Sequence, residues 1–282
     1  MTVTRFAPAK VNLYLHVGRP HPDGRHPLDS VAAFAADVGD VVTATAANEL
    51  SLTLKGPYGD VLSTERENLV LRAAQSLADH FGAPARAALV LEKNLPVASG
   101  IGGGSADAAA ALHALNELWG FDAPRPTLEM LGGRLGSDIP ACVHSVPVRM
   151  RGTGEAVKAV AMTPLHAVLV NPGVALSTAA VFRAFDAAGL GGGFDNTVAY
   201  DLDRAGLAFA RNDLEAPAVA LEPGIGEALR CLRERDPHAL VRMSGSGASC
   251  FALVGDAAEA AALARAVAAA RPDWWVRATV LC

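Results

Sequence analysis

The chain has 282 residues, 51% of them hydrophobic, and a formal net charge of −5, and it contains no run of about 18 apolar residues that could span a bilayer. Four widely spaced cysteines without a C-x-x-C pair favour buried reduced thiols over a disulfide framework, and the negative charge is unlike the basic surface of a nucleic-acid-binding protein. Because the first residues lack the apolar segment of a secretory signal, we expect a soluble, cytoplasmic protein with no membrane or nucleic-acid partner.

The first half of the chain begins with an alternating pattern. Residues 10–17 alternate between polar and apolar, which predicts a half-buried strand with Lys10, Asn12 and His16 on one face. Asn68 precedes and Gly82 follows a helical pattern at 69–81. Two further helices are predicted at 105–119 and from 127 to about 136, and further strands at 41–45, 51–54 and 87–92.

The second half mixes the same two kinds of element. Helices are predicted near 177–188, 224–235 and 257–271, and strands at 166–171, 240–243, 249–254 and 275–281. Because strands and helices do not alternate strictly, the pattern favours an α+β fold over a doubly wound sheet. The length indicates two lobes around one cleft.

The strongest local signal is the glycine-rich segment 95–107, LPVASGIGGGSAD, which joins a predicted strand to an alanine-rich helix. Its glycines allow positive φ and leave no Cβ in the way, so backbone N–H groups can turn toward a phosphate at the helix N-terminus. A plain glycine-rich turn is the alternative. The predicted cradle consists of Gly100, Gly102, Gly103, Gly104 and the hydroxyl of Ser105.

Two other phosphate-binding loops are excluded by spacing. A Walker loop needs a Gly-Lys pair, and none occurs in the sequence. A dinucleotide fingerprint needs G-x-G-x-x-G, but Ser105 stands at the sixth position counted from Gly100.

Three motifs together, in order and in approximate spacing, resemble those of the GHMP kinases. They are PAKVN at 8–12, the loop from Pro96 to Asp107, and SGSGA at 244–248. Further segments resemble the branch that phosphorylates the 2-hydroxyl of 4-diphosphocytidyl-2-C-methyl-D-erythritol in non-mevalonate isoprenoid biosynthesis. These are KVNLYL at 10–15, PDGRH at 22–26, ENLV at 67–70, GSDIP at 136–140 and NDLE at 212–215. The PDGRH segment best distinguishes this branch from other GHMP kinases.

The resemblance implies a small-molecule kinase that uses ATP with Mg²⁺. It also implies an N-terminal nucleotide-binding lobe, 1–153, like domain 2 of ribosomal protein S5, and a C-terminal substrate-binding lobe, 154–282, of ferredoxin-like character. The substrate would lie in the cleft between these lobes. The metal ligands are not identified, and the oligomeric state stays open between monomer and homodimer.

The resemblance also assigns roles residue by residue. Asp138 matches the catalytic base and Lys10 its lysine partner, which suits phosphoryl transfer because a base, a cation and a phosphate cradle suffice for it. The nucleotide would contact the loop from Pro96 onward together with Asn68, Leu69 and the backbone of Lys93. The alcohol substrate would contact Asn12, Arg25, His26, Thr178, Phe182, Gly245 and Gly247.

Each of these residues also has a plainer interpretation. Asp138 could cap a helix, Lys10 could be solvated on its strand, and His26 could be exposed in a turn. Phe182 could be core, the segment 244–249 could be a simple hairpin turn, and GTGE at 152–155 is interpreted as an ordinary turn.

Two positions depart from the family pattern. Arg25 stands where the family usually has a tyrosine that stacks on cytosine, and Ala106 stands where a second serine often follows the loop. Arg25 therefore supports one alternative, a GHMP kinase for a different alcohol. The other alternative is a non-catalytic RNA-binding module, which the net charge of −5 and the presence of Lys10 and Asp138 disfavour.

Overall fold

The computed structural model describes residues 1–62, 67–191 and 200–282. The strands are β1 (Thr2–Val17), β2 (Leu28–Thr45), β3 (Ser51–Lys55), β4 (Ala88–Glu92), β5 (Val148–Arg151), β6 (Ala156–Ala159), β7 (Leu165–Asn171), β8 (Leu240–Met243), β9 (Cys250–Leu253) and β10 (Trp275–Leu281). The helices are α1 (Leu69–Phe81), α2 (Gly103–Trp119), α3 (Arg125–Gly133), α4 (Ile139–His144), α5 (Thr178–Ala187), α6 (Arg204–Leu207), α7 (Glu215–Leu221), α8 (Pro223–Arg235) and α9 (Ala257–Ala270). None of the described helices combines the length and the apolar character that crossing a membrane requires.

These elements confirm the α+β class, and the described residues form two compact units built from several chain segments. The first unit contains Met1–Lys10, Val38–Val97 and Gly102–Ser145. The second contains Val11–Asp37, Ala98–Ile101 and Val146–Cys282. The expected division into nucleotide-binding and substrate-binding lobes at residues 153 and 154 stays a prediction, because these units are defined by packing and not by what each binds.

The first unit packs helices against a short sheet. In this sheet β4 pairs antiparallel with the end of β2, where Val41 lies opposite Glu92, and parallel with β3. Helix α1 begins and ends as predicted, since the Asn68 side chain accepts a hydrogen bond from the Val70 N–H and Gly82 ends the helix with φ +62°. The alanine-rich first half of α2 is buried, and α2 contacts α1, α3 and α4. Small side chains allow this close packing.

The second unit contains an antiparallel sheet in the order β10-β7-β9-β8. The chain passes from β7 through helices to β8, returns in β9, and reaches β10 through α9. This strand order and connection are those of a ferredoxin-like βαββαβ unit, which confirms the predicted C-terminal architecture. The apolar core of this unit includes Val168, Phe185, Ile225, Leu232 and Val276.

Several predicted element boundaries were wrong. Helix α2 begins at Gly103 and not at residue 105, because the Ala106 N–H already donates to the Gly102 carbonyl at 2.8 Å. The predicted helix from 127 to 136 is α3, which starts and ends earlier, and a separate short helix, α4, follows it. Strands β5 and β6 and the first half of β2 were not predicted, and the turn between β5 and β6 includes the segment 152–155, as expected.

The prediction that β1 is half-buried was also wrong. Lys10, Asn12 and His16, the polar residues of its alternating pattern, are as buried as their apolar neighbours. Buried polar groups need hydrogen-bonding or charged partners, and the partners of Lys10, in the first unit, and of Asn12, in the second, are described below.

Candidate active site

The glycine-rich segment leads into α2 through Gly102, which adopts the left-handed conformation with φ +66°. A helix starts there with N–H groups that have no partner within the helix, and such a terminus binds anions. Gly100 also has a positive φ, of +74°, whereas Gly103 and Gly104 are ordinary helical residues in the first turn of α2. Two of the four glycines therefore use the positive φ that glycine allows.

The close packing around Gly102 and Gly103 gives a second reason for glycine at these positions. A Cβ on Gly102 would lie 3.1 Å from Cβ and 3.2 Å from Cε of Lys10. A Cβ on Gly103 would lie 2.9 Å from Nζ of Lys93. The backbone at the start of α2 thus packs against the side chains of Lys10 and Lys93. No sequence pattern indicated this packing.

Lys10 and Asp138 form an ion pair in the first unit, with Nζ 2.8 Å from Oδ2. The Lys10 side chain is only 3% exposed, so it is not the solvated residue of the plainer interpretation, while the Asp138 side chain is 40% exposed. Asp138 occupies the N-cap position of α4, yet its side chain makes no capping hydrogen bond. Its carboxylate is therefore oriented by Lys10 and accessible to a small molecule.

Two residues expected at the adenine lie at the start of α1. The Asn68 side chain caps this helix. Leu69 Cδ1 lies 3.6 Å from the place where a Cβ on Gly104 would stand, so the structure brings the start of α1 to the first turn of α2. The Lys93 N–H donates to the Lys55 carbonyl at 2.8 Å, and its carbonyl accepts from the Tyr58 N–H at 3.2 Å. Only the second lone pair of that carbonyl is left for a nucleotide.

The loop 244–249 joins β8 to β9 as a hairpin, but it is not a free turn. Within the second unit, Ser244 Oγ donates to the Gly100 carbonyl at 3.1 Å and accepts from the Asn12 N–H at 3.1 Å. Gly247 lies so close that a Cβ on Gly100 would overlap its carbonyl. Gly245 is close to Asn12, since a Cβ on Gly245 would lie 3.2 Å from Asn12 Oδ1. Asn12, Gly100 and the loop 244–249, each from a different predicted motif, therefore lie together. Pro96 belongs to the first unit and is buried.

Asn212 holds this hairpin in place. Its Nδ2 donates to the carbonyls of Met243 and Gly245, each at 2.8 Å, and its Oδ1 accepts from the Leu214 N–H. The NDLE motif contained this residue, but a positioning role was not predicted for it. Ser30, whose Oγ accepts from Asn12 Nδ2 at 2.8 Å, was missed altogether, because a single serine in a strand gives no sequence signal.

His26 is buried and is not the idle turn residue of the plainer interpretation. Its Nδ1 donates to the Gly18 carbonyl at 2.9 Å, and its Nε2 lies 3.4 Å from Asp186 Oδ1. The imidazole ring lies 5.0 Å from the Phe182 ring, centroid to centroid. Phe182 is partly buried against the core of its unit, so it is neither fully core nor free. The structure thus brings His26 and Phe182 together.

Arg25 and Thr178 take different positions from these rings. The Arg25 side chain is 69% exposed, and its Nε donates to Asp23 Oδ2 at 2.8 Å. Thr178 begins α5, and its Oγ1 lies 2.8 Å from Ser246 Oγ of the hairpin loop. Thr178 is therefore joined to the third motif.

One buried cluster was not predicted at all. Lys93 Nζ donates to Oδ2 of Asp40 and, at 2.9 Å, to Oδ2 of Asp107. Asp107, the last residue of the glycine-rich segment, is buried and paired with Lys93. Asp40 lies 53 positions from Lys93 and has no motif around it.

Comparisons with known proteins agree across the chain. The family model "GHMP kinases N terminal domain" matches residues 68–145, and the model "GHMP kinases C terminal" matches residues 198–273. A protein of Caulobacter vibrioides named 4-diphosphocytidyl-2-C-methyl-D-erythritol kinase is 46% identical, over 98% of this chain and 98% of its own length. A protein of the same name from Hyphomonas neptunium is 45% identical over 99% of this chain and 97% of its own length.

Solved structures give the same pattern. A crystal structure of 4-(cytidine 5'-diphospho)-2C-methyl-D-erythritol kinase superposes with a TM-score of 0.79 at 32% identity, over 99% of this chain and 98% of that one. A homoserine kinase from Cytophaga hutchinsonii has a TM-score of 0.72 at 19% identity, over 100% of this chain and 94% of that one. The second similarity shows the fold alone.

Proposed function

The chain belongs to the GHMP kinase family, and from that premise we propose that it phosphorylates the 2-hydroxyl of 4-diphosphocytidyl-2-C-methyl-D-erythritol with ATP. The single observation that carries the chemistry is the ion pair between Lys10 and Asp138. The relatives named above carry the substrate. Family membership also favours catalysis over a non-catalytic RNA-binding module.

In the proposed reaction the substrate hydroxyl oxygen bonds to the γ-phosphorus of ATP, and the bond from that phosphorus to the β,γ-bridging oxygen breaks to release ADP. The exposed Asp138 carboxylate accepts the hydroxyl proton. The Lys10 ammonium stabilises the negative charge that develops on the attacking oxygen. N–H groups at the start of α2 bind the phosphates.

The residues fit a magnesium ion that is held mainly by the nucleotide. Within the three described ranges, no group of three or more His, Cys, Asp or Glu residues is placed to hold a metal. Mg²⁺ sites in kinases rarely need such a group, because phosphate oxygens and water supply most ligands. The half-buried hydroxyl of Ser105, in the first turn of α2, would contribute one oxygen. When bound, the ion would neutralise charge on the phosphates.

The remaining predicted residues would bind the alcohol. Asn12 and the hairpin loop 244–249 would contact its polar groups, and the ring of Phe182 would stack on the base beside His26. Thr178 would contribute through its link to the same loop.

The test follows the phosphoryl group itself. The protein is incubated with γ-³²P-labelled ATP, Mg²⁺ and the cytidine compound, and the products are separated and analysed by ³¹P NMR. We expect the label in a phosphomonoester at the 2-position of the erythritol group, together with ADP in equal amount. Label released only as inorganic phosphate, or an ester elsewhere on the molecule, would contradict the proposal.

A further inference from the structure

The unpredicted cluster in the first unit contains one cation and two carboxylates, all of them buried. Lys93, Asp40 and Asp107 are each at most 2% exposed. Burial raises the pKa of Asp107 to about 8, because the cost of desolvating its carboxylate exceeds the opposing effect of the Lys93 charge. For Lys93, burial alone would lower the pKa, but the charges of Asp107 and Asp40 outweigh it and leave the pKa raised.

Such a cluster is poorly explained by stability. Desolvating three ionisable groups is expensive, and replacing buried ion pairs by apolar side chains is often neutral or stabilising. One carboxylate oxygen, Oδ1 of Asp107, has no hydrogen-bond partner among the described residues, which adds to the cost.

Its three members hold three parts of the phosphate loop. Asp40 Oδ1 accepts hydrogen bonds from the N–H groups of Asn94, at 2.6 Å, and Leu95, at 2.8 Å, where the chain leaves β4 toward the loop. Asp107 is the fifth residue of α2 and ties this helix to Lys93. Lys93 Nζ packs against Gly103 in the first turn of α2, 2.9 Å from where a Cβ on this glycine would stand.

We propose that Lys93, Asp40 and Asp107 form a positioning unit, which fixes the entrance of the phosphate loop and the first turn of α2 in the geometry that receives the nucleotide phosphates. This inference rests on the proposed use of ATP. The three residues act through the backbone of the loop and do not touch the reacting atoms, so they are positioning residues and not catalytic ones.

If these three residues form one positioning unit, Lys93→Met and Gly103→Ala should weaken nucleotide binding in the same way. Lys93→Met removes the ammonium group, and Met has no atom where Nζ stood. Gly103→Ala keeps every charge but places a Cβ 2.9 Å from Nζ, which must then move away from Asp40 and Asp107. Because Gly103 is helical, alanine itself is compatible with the backbone there. If alanine acts by displacing Nζ, it should have little further effect once Nζ is gone.

The experiment is a double-mutant cycle on the full chain. The Kd for ADP is measured by calorimetry for wild type, Lys93→Met, Gly103→Ala and the double variant, at a temperature where circular dichroism shows each to be folded. We expect each single variant to bind about tenfold more weakly, and the double variant to bind no more weakly than Lys93→Met. The KM for the alcohol substrate should stay within about twofold of wild type. Lys158→Met, the same change on an exposed lysine, should leave the Kd unchanged.

Losses that multiply in the double variant would show that alanine at 103 obstructs the phosphate directly and would overturn the inference. An unchanged Kd for Lys93→Met would also overturn it. If Lys93→Met does not fold, Lys93→Met/Asp107→Asn takes its place, because it removes one of the two carboxyl groups left without a cation and keeps the hydrogen bonds that Asp40 accepts from Asn94 and Leu95. A wild-type protein that binds no nucleotide would refute the proposed use of ATP and this inference together, whereas nucleotide binding that is equal in all variants refutes this inference alone.

Discussion

Replacing Asp138 with Asn tests the proposed base with little change of volume. Asn cannot accept the hydroxyl proton, and it removes the negative charge 2.8 Å from Lys10 Nζ. General-base catalysis contributes about 10²–10⁴-fold, or about 3–5 kcal/mol of activation free energy, so kcat should fall by that factor. The assay is ADP release coupled to NADH oxidation, with both substrates saturating.

The same substitution also changes stability, and this effect is separable. Breaking a fully buried ion pair costs about 3–5 kcal/mol. Because the Asp138 side chain is 40% exposed, water reaches the pair, and we expect a loss nearer to about 1–2 kcal/mol. The Kd for ADP should change little in a folded Asn variant, and Asp273→Asn, an exposed control, should have wild-type kcat. Wild-type turnover in Asp138→Asn would remove this residue from the mechanism.

Four further outcomes are expected. Gly102→Ala should weaken ADP binding at least about tenfold in calorimetry, because alanine is strained at φ +66° and its Cβ would lie 3.1 Å from Lys10 Cβ. An unchanged Kd for ADP would show that the phosphates are bound elsewhere. Arg25→Ala should raise the KM for the cytidine substrate several-fold with kcat nearly intact, and Arg25→Tyr should restore the wild-type KM, because a planar guanidinium can stack on a base as tyrosine does. An unaltered KM in the Ala variant would show that Arg25 does not hold the base. Asp107→Asn should raise the melting temperature more at pH 8 than at pH 5. Between the unfolded pKa of 3.8 and the folded pKa of about 8, wild-type folding takes up a proton at Asp107, so wild-type stability falls as pH rises, whereas Asn does not titrate. A melting-temperature difference between the variant and wild type that shrinks with rising pH would contradict the raised pKa of Asp107. Chelation of Mg²⁺ should abolish turnover reversibly, and turnover that persists in excess chelator would exclude the metal from the reaction.

Elements with strong local signals were predictable. Helix α1 has a capping side chain at Asn68 and a terminating Gly82, and both act within one turn of the helix. Strands β8 and β10 have the bounds that their apolar patterns indicated. The similarity of three motifs to one family supplied the ferredoxin-like architecture, which local patterns alone did not.

Features that depend on distant partners were not predictable. The burial of Lys10 requires Asp138, which lies 128 positions further along the chain, and alternation alone indicated an exposed face. Asp40 has no motif around it, so its pairing with Lys93 is visible only in the structure. The helical conformation of Gly103 was missed because glycine permits many conformations, and the packing around it selects one.

The measurement that tests the central claim most directly is the rate of ADP release over a panel of alcohols. The panel contains 4-diphosphocytidyl-2-C-methyl-D-erythritol, its uridine counterpart, mevalonate, homoserine and galactose, each titrated at saturating ATP and Mg²⁺. The account predicts that kcat/KM for the cytidine compound exceeds every other value by at least about 100-fold, because a site that hydrogen-bonds one base rejects another. Comparable turnover of mevalonate or homoserine, with the cytidine compound inert, would contradict it.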